Sequence, residues 1–245
     1  MLKTFNDAQP LLMSRFLNSK TKLCWFFLLM GFQVKAQYSD SSFKSSKPKY
    51  DDEYFHLREL YVPVSLIAYA SYSNNEESLL SNTKIKAERD EDMPHFKVPV
   101  DNYMQFAPIL AGYGCLAMGS KQNGWLYTRE VLLNEVIVNI SVYSVKHLSK
   151  VPSIVNGSYN AFPSGHTAQA FSAATLFSDN FAKGKPWLQC LSYGSASAVG
   201  VLRILNERHW ATDVVAGAGF GILSAKISEW TFVPHFRKKH PEANF

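Results

Sequence analysis

Five apolar segments dominate the chain from Asp101 onward, each long enough for several helical turns. They run Phe106 to Met118, Thr128 to Leu148, Thr167 to Asn180, Leu188 to Leu205 and Trp210 to Phe232. Strands would need alternation with a period of two between hairpin turns, and that pattern is scarce. Asn156-Gly157 reads as a turn between two helices. Small residues crowd the last two segments (SYGSASAVG and AGAGFG), so helix backbones can approach closely there. The expected fold is all-α, a compact helical bundle. With 245 residues, 47% hydrophobic and 18% charged, the chain can bury one sizeable core and is not a disordered polymer. Asn134, Glu135 and Lys146 interrupt the apolar runs, and a bilayer-spanning helix needs roughly 20 apolar residues. The bundle is therefore expected outside the bilayer, in peripheral membrane contact, with a bundle that dips into the membrane as the alternative.

Upstream of the bundle the chain changes character. Lys20 and Lys22 precede an apolar run, Leu23 to Gly31, and Val34-Lys35-Ala36 offers small residues before a cut at Gln37. Residues 1–36 read as an export signal, which places the remainder in the periplasm or cell envelope. That stretch holds Lys3, Arg15, Lys20, Lys22 and Lys35 against Asp7, or +4 of the +5 formal charge of the whole chain. The basic balance belongs to the signal, and nucleic acid is not an expected partner. Residues 37–100 form an N-terminal lead-in, partly flexible, followed by the helical domain at 101–245. Within the lead-in, Leu57 to Ala70 has helical character interrupted by Pro63. Asn74 to Met93 reads as a solvated loop or surface helix. Cys115 and Cys190 lie in apolar stretches and read as two buried small hydrophobes, with nothing to indicate a disulfide.

Two motifs carry chemistry. Pro163-Ser164-Gly165-His166 stands at the start of an apolar helix. Ser and Pro suit a helix start, Gly admits close backbone approach, and a helix N-terminus presents free N–H groups to an anion. His166 would then sit beside a bound phosphate. Further on comes Arg203, five residues, His209, three residues, Asp213 (RILNERHWATD). A separation of four puts His209 and Asp213 on one helix face, where the carboxylate can orient the imidazole and stabilise its charged form. The other ring nitrogen is then free to attack. Arg203 supplies a planar donor fork for phosphoryl oxygens. The remaining histidines, His56, His95, His147, His235 and His240, are scattered, and no metal site is expected.

Taken together, Phe162-Pro-Ser-Gly-His166-Thr167 and Arg203-x5-His209-x3-Asp213 resemble the type 2 phosphatidic acid phosphatase and vanadium haloperoxidase superfamily, in the family's order. The small-residue helix after Asp213 (VVAGAGFGILS) looks like that family too, and the resemblance covers roughly Asp101 to Trp230. It implies a helical core of that type, a phosphohistidine on His209, protonation of the leaving group by His166, and no cofactor. It also implies an upstream Lys-x6-Arg-Pro motif that binds phosphate. Here the chain departs from the pattern. If Lys146 is the motif's lysine, Ser153 and Ile154 stand at the Arg-Pro positions. In the other alignment the lysine position holds Val142, and Lys146 or Lys150 would reach in from another angle.

The expected activity is an exported, metal-independent phosphohydrolase. Ser164, Gly165, Arg203 and Lys146 would hold the phosphoryl group, His209 with Asp213 would be the nucleophilic pair, and His166 the general acid. The family's envelope substrates point to a phosphorylated lipid, either a phosphomonoester or a pyrophosphate, or to a small phosphate ester. A vanadium-dependent haloperoxidase and a non-catalytic phospholipid-binding relative are the alternatives. Length argues against the first, and the incomplete upstream motif speaks for the second.

Overall fold

A computed structural model describes residues 56–73, 80–155 and 157–239. Residues 1–36, read as an export signal, the serine-rich stretch after them and Asn156 lie outside the described residues. A 3-10 turn, Leu57–Leu60, leads into α1 (Tyr61–Tyr72). Then come α2 (Asn82–Asp92), α3 (Asp101–Met104), α4 (Ala107–Ala117), α5 (Gly124–Ser149), α6 (Gly165–Phe181), α7 (Pro186–Leu205) and α8 (Ala211–Lys239). No strand occurs among the described residues, and the architecture is all-α.

The helix ends follow local chemistry. Asn123 caps α5, its Oδ1 accepting from the N–H groups of Trp125 (3.0 Å) and Leu126 (3.3 Å). Lys150 closes the same helix in the left-handed region at φ 49°. Pro108 and Pro186 sit in the first turns of α4 and α7, where a missing N–H costs nothing. The expected interruption at Pro63 does not occur, for the same reason: α1 begins at Tyr61, so Pro63 falls in its first turn and the helix runs on to Tyr72. The polar stretch after Asn74 contains a real helix, α2, capped by Ser81 and turning Ile85 and Arg89 inward.

Helix α6 is the axis of the bundle, packed against α4, α5, α7 and α8. Ala168, Ala170, Ala173 and Ala174 on it are wholly buried. The main apolar cluster joins α6, α7 and α8 to Leu66, Ala70, Leu80 and Ile85, so the core draws on residues upstream of Asp101. The expected burial of the cysteines is corrected: Cys190 is exposed on the outer face of α7, Cys115 is half-buried, and both are free thiols.

Glycines bring α8 onto α6. A Cβ on Gly217 would lie 2.6 Å from the carbonyl oxygen of Ser164, and one on Gly221 only 2.2 Å from that of Ala168. Neither contact leaves room for a methyl group, and a backbone oxygen cannot rotate away. Gly221→Ala is therefore expected to force the helices apart and destabilise the fold by about 1–3 kcal/mol, read as a lower melting temperature. Gly114 on α4 has nothing within 4 Å of its notional Cβ. There the same substitution should stabilise by roughly 0.5–1 kcal/mol, the helix-propensity gain alone.

The outward faces of several helices remain apolar. On α5, Leu132, Val136, Ile140 and Tyr143 recur at helical spacing and are all exposed, with Leu110 on α4 and Trp187 and Leu191 on α7. Among the described residues one helix, α7, is long and apolar enough to cross a membrane by length and composition.

Candidate active site

The glycine seam determines which groups meet. Pressing the first turns of α8 onto the head of α6 lets the Ser164 N–H donate to the Asp213 carbonyl at 2.9 Å. The two sequence motifs, almost fifty residues apart in the chain, thus share a hydrogen bond. Ser164 is the N-cap of α6, but its side chain does not cap; its Oγ accepts from the Thr167 hydroxyl at 2.9 Å. The first N–H groups of α6, those of Gly165, His166 and Thr167, take no backbone acceptor. They form a small positive cradle at the helix end, with the Ser164 hydroxyl proton beside it.

His209 sits at this cradle, 9% exposed. Its Nδ1 lies 3.4 Å from Oδ2 of Asp213, the expected partner, although long for a hydrogen bond; the expected shared helix face is corrected, because α8 starts at Ala211 and His209 stands in the turn before it. The same Oδ2 accepts from the Trp210 N–H at 2.9 Å, which fixes the carboxylate at the start of α8. Asp213 is fully buried, and its Oδ1 has no hydrogen-bond partner among the described residues. Burial pulls the His209 pKa below its usual value, and Asp213 works against the shift. The ring is therefore neutral near pH 7, the state a nucleophile needs.

His166 is half-buried at the mouth of the cradle, and Nε2 lies 3.0 Å from Oδ1 of Asn102. Burial, reinforced by the nearby Arg203 charge, lowers its pKa to about 4. Arg203 comes from the last turn of α7. Its Nη1 donates to Asp101 at 2.7 Å, while Nε is buried and has no partner among the described residues. Asp101 also accepts from Asn206 at 3.2 Å.

Lys146 reaches the edge of the same site. Its ammonium donates to the carbonyl of Asn160 and, at 3.5 Å, to that of Ala161, immediately before the Pro-Ser-Gly-His turn. Burial lowers its pKa, and the charge of Asp213 opposes that. Val142, one turn earlier on α5, is core: it packs with Val138 and Ala168. Lys150 is exposed at the helix end. The site thus gathers His166, His209, Asp213, Arg203, Ser164 and Gly165, with Lys146 along one wall.

Sequence reading missed Asp101 and Asn102. They are adjacent on the single turn of α3, one gripping Arg203 and the other His166. No periodicity marks a four-residue helix, and pairings across more than sixty residues leave no local trace. The only cue was an acidic residue at the very head of the helical region.

The family model of the PAP2 superfamily matches residues 122–237. Over those residues the chain is similar to the PAP2 superfamily. The match includes both histidines, Arg203, Asp213 and Lys146. A lipid A 1-phosphatase of Porphyromonas gingivalis is 36% identical over 142 residues, which cover 55% of this chain and 31% of that protein. A bacitracin transport permease protein, BcrC, of Bacillus licheniformis is 43% identical over 72 residues, or 29% of this chain and 34% of that one. The matched segments span about a third of the length of these curated relatives. Among solved structures, a transmembrane PAP2-type phosphatidylglycerolphosphate phosphatase from Bacillus subtilis aligns over 75% of this chain and 100% of its own, at 18% identity and a TM-score of 0.47.

Proposed function

We propose that the chain is an exported, metal-independent phosphohydrolase that cleaves a phosphomonoester or pyrophosphate, with an envelope lipid as substrate. The observation that carries this reading is the convergence of the His209–Asp213 pair, His166 and Arg203 on the free N–H groups of α6. Among the described residues no other cluster collects a nucleophile, an acid and an anion cradle.

The chemistry follows from the roles these groups can play. Arg203 Nε and the α6 N–H groups hold the phosphoryl oxygens, and the Ser164 hydroxyl donates a further bond. The free nitrogen of His209 attacks phosphorus in line and forms an N–P bond as the P–O bond to the leaving group breaks. Asp213 balances the charge that develops on the ring. His166 gives its proton to the departing oxygen, then takes one from the water that hydrolyses the phosphohistidine. Lys146, tied to the carbonyls of Asn160 and Ala161, fixes the loop that presents His166 and adds positive potential. The exposed apolar faces of α4, α5 and α7 suit contact with lipid, which would bring a lipid phosphate to the site.

Purified protein offered aryl and alkyl phosphates in the presence of chelator tests the reading. Turnover should persist, because the positive charge comes from protein groups, and vanadate should inhibit as a mimic of the five-coordinate transition state. Loss of activity restored by divalent metal would overturn the mechanism. Halide oxidation by peroxide with vanadate would favour the haloperoxidase chemistry, and binding without turnover the non-catalytic reading. The pH profile carries a further expectation. His209 must be neutral and His166 protonated, and both pKa values are depressed. For an alkyl phosphate kcat/KM should therefore peak on the acid side of about 6.5, the ordinary imidazole value, and fall as pH rises. A peak above neutrality would argue against His166 as the acid.

A further inference from the structure

A pocket of about 430 Å³ opens beside the catalytic cluster. That volume lies within the roughly 300–1,000 Å³ of small-molecule sites. It shares Arg203, Asp101 and Asn102 with the cluster. Asn102 is the residue bonded to His166, so the pocket adjoins the side where the leaving group departs. Its wall also carries Lys86, Lys97 and Arg208.

The charge of this wall is not balanced from within. Asp101 is paired with Arg203 at 2.7 Å, and Glu207 with Arg89 at 2.9 Å. Lys86 is paired with Asp90. Lys97 and Arg208 have no carboxylate within ion-pair distance among the described residues. The backbone segments that bear them are also tied to each other. Asn206 accepts from the Val98 N–H at 2.8 Å and donates to the Val98 carbonyl at 2.8 Å, locking the segment that bears Lys97 to the turn that bears Arg208. That turn holds Glu207 at φ 56°, a left-handed conformation costly for a residue with a Cβ. Arg208 N–H then donates to the Arg203 carbonyl at 2.9 Å. Ile154 and Val155 supply apolar lining. If Lys146 is the motif's lysine, Ile154 stands at one of the two positions where the family's Arg-Pro pair is missing.

We propose that this pocket is a subsite for a second anionic group on the leaving moiety. The preferred substrate is then a phosphate ester or pyrophosphate whose departing portion carries a further phosphate or carboxylate. Arg203 and the α6 cradle take the phosphoryl group that is cleaved. Lys97 and Arg208 take the second anion, and Ile154 and Val155 line the less polar part of the same moiety. The inference rests on the phosphohydrolase reading and extends it to the substrate's chemical class.

The test compares glucose 1-phosphate with glucose 1,6-bisphosphate at one fixed ionic strength. Wild type should show at least about a tenfold higher kcat/KM for the bisphosphate. In the Lys97→Ala/Arg208→Ala double variant that ratio should fall to within about twofold of one. Lys185→Ala, an exposed lysine at the far end of α7, about 27 Å from the site by helical rise, should keep the tenfold ratio. Equal kcat/KM values in wild type, or a preference that survives the double variant, would overturn the subsite. If neither ester is hydrolysed, the phosphohydrolase reading fails separately, and calorimetric binding of the bisphosphate decides the subsite. Binding lost in the double variant supports it, and binding unchanged or absent in wild type refutes it.

Discussion

Replacing His209 with alanine is expected to lower turnover of every phosphate ester by at least about 10⁴-fold, because no other side chain can make the N–P bond. The ring is buried and its charge partner Asp213 is wholly enclosed, so the variant leaves a carboxylate with only the Trp210 N–H for company. Circular dichroism and melting temperature must accompany the assay to separate lost chemistry from lost fold. His166→Ala behaves differently. It should slow alkyl phosphates far more than activated aryl phosphates, whose leaving groups need little protonation. Brief quenching of wild type with labelled substrate should place acid-labile phosphate on His209. Label on another residue, or equal losses on both substrate types in the His166 variant, would refute the assigned roles.

Arg203→Ala should have the second largest effect, and on two quantities at once. Removing the guanidinium takes the principal cation from the phosphoryl group, a loss of about 10²–10³ in kcat/KM. It also strands Asp101, 1% exposed, without its ion-pair partner. Breaking a buried pair from one side costs about 3–5 kcal/mol, so unfolding by urea should shift markedly. The Asp101→Ala/Arg203→Ala double variant removes the stranded charge and should recover most of that stability while remaining inactive. Restored activity in the double variant would show that Arg203 serves Asp101 rather than phosphate. Loss of stability undiminished in the double variant would mean that the pair is not what Arg203 contributes.

Much of the site was legible because its parts are local. His209 and Asp213 are four residues apart in the chain, and Pro163-Ser164-Gly165-His166 leads into a helix, so spacing alone marked them as candidates. The five long helices were equally plain from their apolar runs. What escaped depends on contacts between distant segments. Asp101 and Asn102 act through partners on α7 and α6, and α3 is too short to show a period. Cys190 sits in an apolar run that faces outward, and sequence hydropathy does not distinguish an apolar face covered by protein from one left bare. Pro63 appeared to break a helix because its position relative to the helix start was unknown, and that position alone decides whether its missing N–H matters. Lys146 was drawn to the site by the spacing of the resembled upstream motif. Its bonds to the carbonyls of Asn160 and Ala161 follow from a loop path that no local pattern encodes.

The hydrogen bond from the Ser164 N–H to the Asp213 carbonyl has a kinetic meaning. Ser164 lies at a helix start, where amides ordinarily exchange with solvent deuterium quickly. Here its proton is enclosed between α6 and α8, beneath the contact that Gly217 makes with its own carbonyl. It can exchange only when the two helices part, so its rate reports their separation and not the fraying of one end. The helix starts beside the two histidines are thus tied to each other by a backbone hydrogen bond. The segment bearing Lys97 is fastened through Asn206 instead, so the Val98 amide should exchange at a rate independent of that of Ser164.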